Sequence, residues 1–220
     1  MIRAFRYPLK PNATEERALL RYLSACQQIY NAALEEKRDA YRKQGVTVSR
    51  YEQQKELTEL RGQDADYAAI PVEVLRSALL RLDRAYTGFF RRVKAGQKAG
   101  FPRFRSRDRY DSFSFCNPVI DGDRIKIPKL GYVKMNLYRP LRGTPKEAQV
   151  RRTAKGWYVS IICDLGAAPP VDVNLDKIVG IDLGLTSCAV LSTGEEIANP
   201  RFFRESEERL ARRQRALQAK

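Results

Sequence analysis

"KIVGIDLGLTSC", residues 177 to 188, is the stretch on which the reading of this chain turns. Its apolar run predicts a buried strand over Ile178 to Leu183, carrying Asp182 near its end, with Gly184 as the turn. A second strand follows over Ser187 to Leu191, and a Thr193-Gly194 turn introduces a third short one. An aspartate on a buried strand costs several kcal/mol as a bare charge, so it is paired, hydrogen-bonded or bound to a metal.

Three readings of Asp182 stay open on the residues alone. It caps the Gly184 turn, as aspartates often do. It is a metal ligand in an RNase H-like nuclease, where two Mg²⁺ ions roughly 3.5–4 Å apart drive in-line phosphodiester cleavage. Or "GIDLG" is the first phosphate loop of an actin-like or chaperone-type ATPase, although there the motif opens the domain and here a basic block precedes it.

That block dominates the chemistry of the chain. Lys and Arg number 41 against 26 Asp and Glu, a formal net charge of +15 over 220 residues. Such a surplus favours a polyanionic partner, nucleic acid above all. There is no histidine, which excludes Ser-His and Cys-His catalytic pairs and His-ligated metals within these residues. Cys26, Cys116, Cys163 and Cys188 are too far apart for the C-x-x-C pairs of a zinc ribbon. Single thiols in apolar contexts point to buried, reduced cysteines, which fits a cytosol; for a chain with a nucleic-acid partner the expected place is cytoplasmic and nucleoid-associated. No run approaches the roughly 18 apolar residues of a membrane span.

Upstream of the linker "GAAPPVDVNLD", residues 166 to 176, the pattern is strand, helices, then short strands. Residues 2 to 9 read as a strand. Asn12, with Glu15 three residues on, forms a capping box for a helix whose stripe is Leu19, Leu23, Cys26, Tyr30 and Ala33, ending at Gly45. A weaker helix covers about Ser49 to Leu60. A stronger one starts at Pro71, with Leu75, Leu79, Leu82, Tyr86, Phe89 and Val93 as its core stripe. "SFSFC", "RIKIP", "YVKM", "AQVRRT" and "KGWYVSIICDL" alternate as strands, the last two as a hairpin. "ESEERLARRQRALQAK" closes the chain as a helix, acids first and bases last.

Between the helices and the strands lies "FFRRVKAGQKAGFPRFRSRDRY", residues 89 to 110. Arg91, Arg92, Lys98, Arg103, Arg105 and Arg107 are candidate phosphate contacts, because a guanidinium fork matches a phosphate. Phe101 and Phe104, interleaved with them, either stack on bases or anchor the loop in a core.

Together "AYTGFFRRVKAGQKAGFPRFRSR", "IPKLGYVKM" and "GIDLGLTSCAVLSTGEEIANPRFF", in this order, resemble the TnpB, or OrfB-type transposon-encoded, family. Its members are RNA-guided DNA endonucleases related to type V CRISPR effectors and formerly described as transposases. The resemblance runs over essentially the whole chain and demotes the ATPase fragment to a remote alternative. It implies an α+β multi-domain fold: residues 1–10 and 101–170 a β-barrel wedge, residues 11–100 an inserted helical recognition lobe, residues 171–220 a linker and the first segment of a RuvC domain. It implies as partners a guide RNA from the transposon end and double-stranded DNA carrying an adjacent motif, read near Gln53, Arg76, Ser77 and Asn117.

The family's nuclease site uses Mg²⁺ on three acids, with a zinc ribbon between the last two. Only the first acid, Asp182, has a counterpart here, and the ribbon cysteines have none. The expectation is therefore an amino-terminal half with an incomplete two-metal site, binding no metal tightly by itself. Its missing half is a possible partner, and no membrane is. The alternatives are a catalytically inactive RNA- or DNA-binding module and the product of a decayed transposon gene.

Overall fold

A computed structural model describes residues 1–166 and 178–218. They divide into two compact units, Met1–Ala168 and Pro169–Lys220. The expected linker falls almost entirely outside the described residues.

The helices of the first unit begin and end where their capping residues dictate. Helix α1, Ala13–Gln44, starts at Asn12, whose side chain accepts from the backbone N–H of Thr14 and Glu15. The Glu15 carboxylate in turn accepts from the N–H of Asn12 at 2.9 Å. Gly45 ends the helix at φ 68°, a left-handed conformation that a side chain would strain. Ser49 and Glu52 repeat the box at the start of α2, Arg50–Gln63. A short helix α3, Ala65–Ala69, was not legible in the sequence. The Arg61 guanidinium donates to the carbonyls of Tyr67, Ala68 and Ile70 at 3.2–3.3 Å, capping its carboxyl end. Helix α4, Val72–Lys94, follows Pro71.

The expected strands form two antiparallel sheets. The first contains β1 (Ile2–Pro8), β2 (Ser112–Cys116), β6 (Thr144–Thr153) and β7 (Gly156–Asp164), in the order β1-β7-β6-β2. The second contains β3 (Val119–Asp121), which is too short to announce itself, β4 (Arg124–Ile127) and β5 (Gly131–Lys134). Leu9 bridges to Met135, so the end of β1 touches β7 on one side and the residues after β5 on the other. The two outer strands of this run, β2 and β3, are consecutive in the chain, linked through Asn117 and Pro118.

Alternate residues of these strands and the apolar faces of the helices share one core. Tyr22 of α1 meets Phe113 of β2 edge to face at 5.7 Å between ring centres. The Cys26 thiol donates to the Val74 carbonyl of α4 at 3.3 Å. Leu19, Leu75 and Leu82 are wholly buried, each contributing roughly 1.5–3 kcal/mol by removal from water.

The stripe of α4 departs from its reading. Its buried part ends at Leu82, and Val93 is 51% exposed, because the helix runs past the sheet that covers its first half. The thiols also divide: Cys26 and Cys163 are buried, Cys116 and Cys188 exposed. Both exposed thiols fall on the outward phase of strands whose other face packs inward.

In the second unit the strands are β8 (Ile181–Asp182), β9 (Ser187–Leu191) and β10 (Glu196–Ala198), in the order β10-β9-β8. Helix α5 spans Phe202–Gln218. The buried strand expected over Ile178 to Leu183 is corrected here. Pairing reaches only Ile181 and Asp182, and Ile181 and Leu183 are 63% and 76% exposed. Among the described residues of this unit no element covers that face, so the apolar run has nothing to pack against.

Candidate nucleic-acid interface

The basic loop follows directly from the end of α4. That helix closes on Arg91, Arg92 and Lys94, where cations favour the negative end of the helix dipole. The chain then has no regular structure until a single 3-10 turn at Arg107–Arg109. Irregular backbone of this kind needs other partners, and it has them.

Asn31 of α1 donates from its side-chain amide to the Arg105 carbonyl at 2.9 Å and accepts from the Arg105 N–H at 2.9 Å. Gln27, one turn earlier, donates to the same carbonyl at 2.7 Å. Downstream, Tyr110 is buried under the Arg81 guanidinium, 4.6 Å from its ring centre. Burial pushes its phenol above the ordinary range. Asp111 then pairs with Arg151 at 2.7 Å.

The result is a pinned backbone with free side chains. Arg91, Lys98, Arg103, Arg105 and Arg107 are exposed, Arg92 half-exposed, and none is in an ion pair among the described residues. Fixing the backbone in advance lowers the entropy lost when a polyanion orders these side chains. Phe104 is 47% exposed with the Arg38 guanidinium over its ring at 5.3 Å, whereas Phe101, 44% exposed, packs on Tyr86 and Phe89 and ties the loop to α4.

The residues expected to read a target-adjacent motif separate into two places. Glu73 and Ser77 of α4 accept from the N–H groups of Cys116 and Ser114, at 3.2 and 3.3 Å. That seam carries Ser77 together with exposed Arg76 and Asn117, the latter at φ 49° just past β2. Gln53 is not part of it, and its expected role is corrected. Its side chain is 3% exposed, donating to the Ala33 carbonyl at 2.9 Å and the Glu36 carboxylate at 2.7 Å. It clamps α2 to α1 and presents nothing to a partner.

Gln27, Asn31 and Arg81 do positioning work that the sequence did not reveal. The only signal was two amides one turn apart beside the apolar stripe, indistinguishable from ordinary surface polarity.

Asp182 sits on β8, opposite Val190, with its side chain exposed. It meets neither a cation nor a hydrogen-bond donor among the described residues. An exposed carboxylate is hydrated by water, so the demand for a partner that a buried one makes does not arise. Among the described residues no group of three His, Cys, Asp or Glu side chains is placed to hold a metal ion. Mg²⁺ needs several oxygen ligands in near-octahedral geometry, so these residues alone do not fit a two-metal centre.

Residues 160–220 match a family described as "Probable transposase", OrfB of the IS605 type. Residues 1–45 match that family's "Helix-turn-helix domain", although here they form one strand and one continuous helix. The chain is also 30% identical, over its whole length, to "Putative RNA-guided DNA endonuclease InsQ" of Escherichia coli (strain K12).

The chain matches the TnpB, or OrfB-type, family.

A second relative, a "Putative RNA-guided DNA endonuclease" of Streptomyces pristinaespiralis, is 29% identical over 99% of the chain. The chain spans about half the length of these curated relatives, 54% and 55%. Among solved structures, the cryo-EM structure of a Cas12f1-sgRNA-target DNA complex superposes with a TM-score of 0.45 at 15% identity. That comparison covers 99% of this chain and 62% of the other. No helix among the described residues is long and apolar enough to cross a membrane.

Proposed function

We propose that these residues hold a guide RNA and a DNA target for an RNA-guided DNA endonuclease of the TnpB type. Asp182 is one of the carboxylates of its Mg²⁺ site. The wedge is residues 1–10 and 101–170, the recognition lobe residues 11–100, and residues 171–220 a linker plus the first RuvC segment. Arg91, Arg92, Lys98, Arg103, Arg105 and Arg107 contact phosphates, and Arg76, Ser77 and Asn117 line the seam that meets the motif beside the target.

The whole-chain match to a relative named as an RNA-guided DNA endonuclease carries this reading. The pinned loop, whose guanidiniums are in no ion pair among the described residues, and the net charge of +15 support it. Mg²⁺, when bound, polarises the scissile phosphate and activates water. Asp182 contributes one ligand, and the described residues supply no others close enough to derive a cleavage step. That same observation favours a second reading, in which the 220 residues act as a binding module without cleavage.

The test is to express the chain beside its native flanking DNA, purify it and sequence the RNA that accompanies it. Strong enrichment of RNA copied from the end of the element supports the proposal, and bulk cellular RNA without enrichment overturns it. Adding Mg²⁺ and target DNA separates the two readings. Intact DNA is expected of the 220 residues alone, whereas cleavage abolished by Asp182→Ala would show that another chain completes the site.

A further inference from the structure

Beside the basic loop, which contributes Phe101, helices α1, α2 and α4 line a cleft of about 890 Å³. Sites that bury an organic ligand typically run from roughly 300 to 1,000 Å³. One wall is aromatic and fixed: Phe101 meets Tyr86 and Phe89 edge to face at 5.5 and 5.3 Å. Around it, Tyr41 of α1, Tyr51 of α2 and Phe90 of α4 line the cleft at 68%, 68% and 60% exposure. Large rings left open at one place are unusual on a folded surface and mark a binding site.

The cleft is also cationic. Lys37, Arg38, Arg42 and Arg50 line it against the single acid Asp83. Arg50 has spare donors: its buried Nε has no hydrogen-bond partner among the described residues, and its terminal nitrogen reaches the Tyr51 hydroxyl only at 3.4 Å. Its guanidinium lies over the Tyr51 ring at 5.1 Å from the ring centre, so turning toward an anion gives up that cation–π contact and opens that face of the ring to a base.

The combination of rings and cations selects the occupant. A second copy of the chain would bring +15 against +15. An acidic peptide would satisfy the arginines and leave the ring faces without a planar partner. Double-stranded DNA offers phosphates, but its bases are already stacked on one another. An unpaired nucleotide satisfies both, its base on an aromatic face and its phosphate on a guanidinium.

We infer that the α1–α2–α4 cleft takes unpaired nucleotides of a single-stranded segment, with bases stacked on Tyr41, Tyr51 and Phe90 and phosphates on Arg38, Arg42 and Arg50. This rests on the nucleic-acid reading above and adds to it a strand state and a location. RNA and DNA share the stacking chemistry, and the two are separated by experiment.

The full chain is titrated with a fluorescent single-stranded RNA, a single-stranded DNA and a duplex DNA of one sequence, each read by anisotropy. Tyr41→Ala and Phe90→Ala should each weaken single-strand binding by roughly 5- to 150-fold, the alanine-scan range for one stacked base, and the double variant by more than either. Duplex binding and the salt dependence should stay as they were, and Tyr41→Phe should bind like the unaltered chain because the ring is kept. Both side chains are largely exposed, so melting temperature should be unchanged. The larger loss, on RNA or on DNA, identifies the strand. Unchanged single-strand affinity, or an equal loss on the duplex, overturns the stacking site and leaves nucleic-acid binding intact. Failure of the unaltered chain to bind any of the three probes would overturn the broader reading as well. A 2-aminopurine reporter whose fluorescence is not quenched on binding would also count against stacking.

Discussion

Asn31 on α1 and Arg105 in the basic loop hold each other through two hydrogen bonds of 2.9 Å, one in each direction, across 74 residues of chain. The amide of Asn31 thereby takes the place of a neighbouring strand, satisfying both backbone groups of a loop residue. The Arg105 guanidinium itself is left for something else.

If the clasp serves binding, cutting it should loosen the loop without unfolding the protein. Asn31→Ala removes two exposed bonds worth about 0.5–1.5 kcal/mol each at most. We expect a small fall in unfolding free energy and a roughly five- to tenfold loss of nucleic-acid affinity, from ordering that binding must then supply. Equilibrium denaturation and anisotropy on the same preparation check both. An unchanged affinity would mean the loop is not at the interface.

Phosphate contacts leave a signature in salt. Each one lost should flatten the slope of log K against log salt by roughly 0.9 on duplex DNA and 0.7 on a single strand. The triple variant Arg103→Ala/Arg105→Ala/Arg107→Ala should therefore reduce the slope by about 2–3. A parallel slope with lower affinity would place these arginines in a positioning role.

For Gln53 the expected phenotype is stability. Gln53→Ala leaves the Ala33 carbonyl and Glu36 carboxylate without their donor at a buried seam. That should cost about 1–3 kcal/mol, seen as a lower urea midpoint. DNA affinity of the folded variant, measured well below that midpoint, should be unchanged. A change in motif preference without loss of stability would restore the reader role.

The cysteines should react in order of exposure and thiolate content. Burial pushes the Cys26 thiol up to about 12, so at neutral pH almost none of it is the reactive thiolate. Burial also raises Cys116, and the nearby Glu147 and Glu73 carboxylates raise it further. Iodoacetamide labelling followed by mass spectrometry should modify exposed Cys188 first, Cys116 more slowly, and Cys26 and Cys163 only in denaturant. Raising the pH should speed Cys116 before it touches Cys26. Labelling of Cys26 in the native protein would mean that α1 and α4 separate readily.

The helix starts at Asn12 and Ser49, the stop at Gly45, the β6–β7 hairpin and the basic loop are all legible in the order of the amino acids. Each rests on a local rule: a side chain that completes its own helix end, a glycine that adopts a left-handed turn, an alternation with period two. The family was legible for a similar reason, through motifs kept in order along the chain. Packing between distant segments resolves what the local rules leave open. Whether Gln53 faces a partner or a neighbouring helix depends on where α2 lies against α1. Whether Asp182 is buried depends on what covers its strand, and an apolar run of four residues carries no information about that. The Asn31 clasp and the aromatic cleft join residues dozens of positions apart, and pairings of that range follow from packing, not from spacing along the chain.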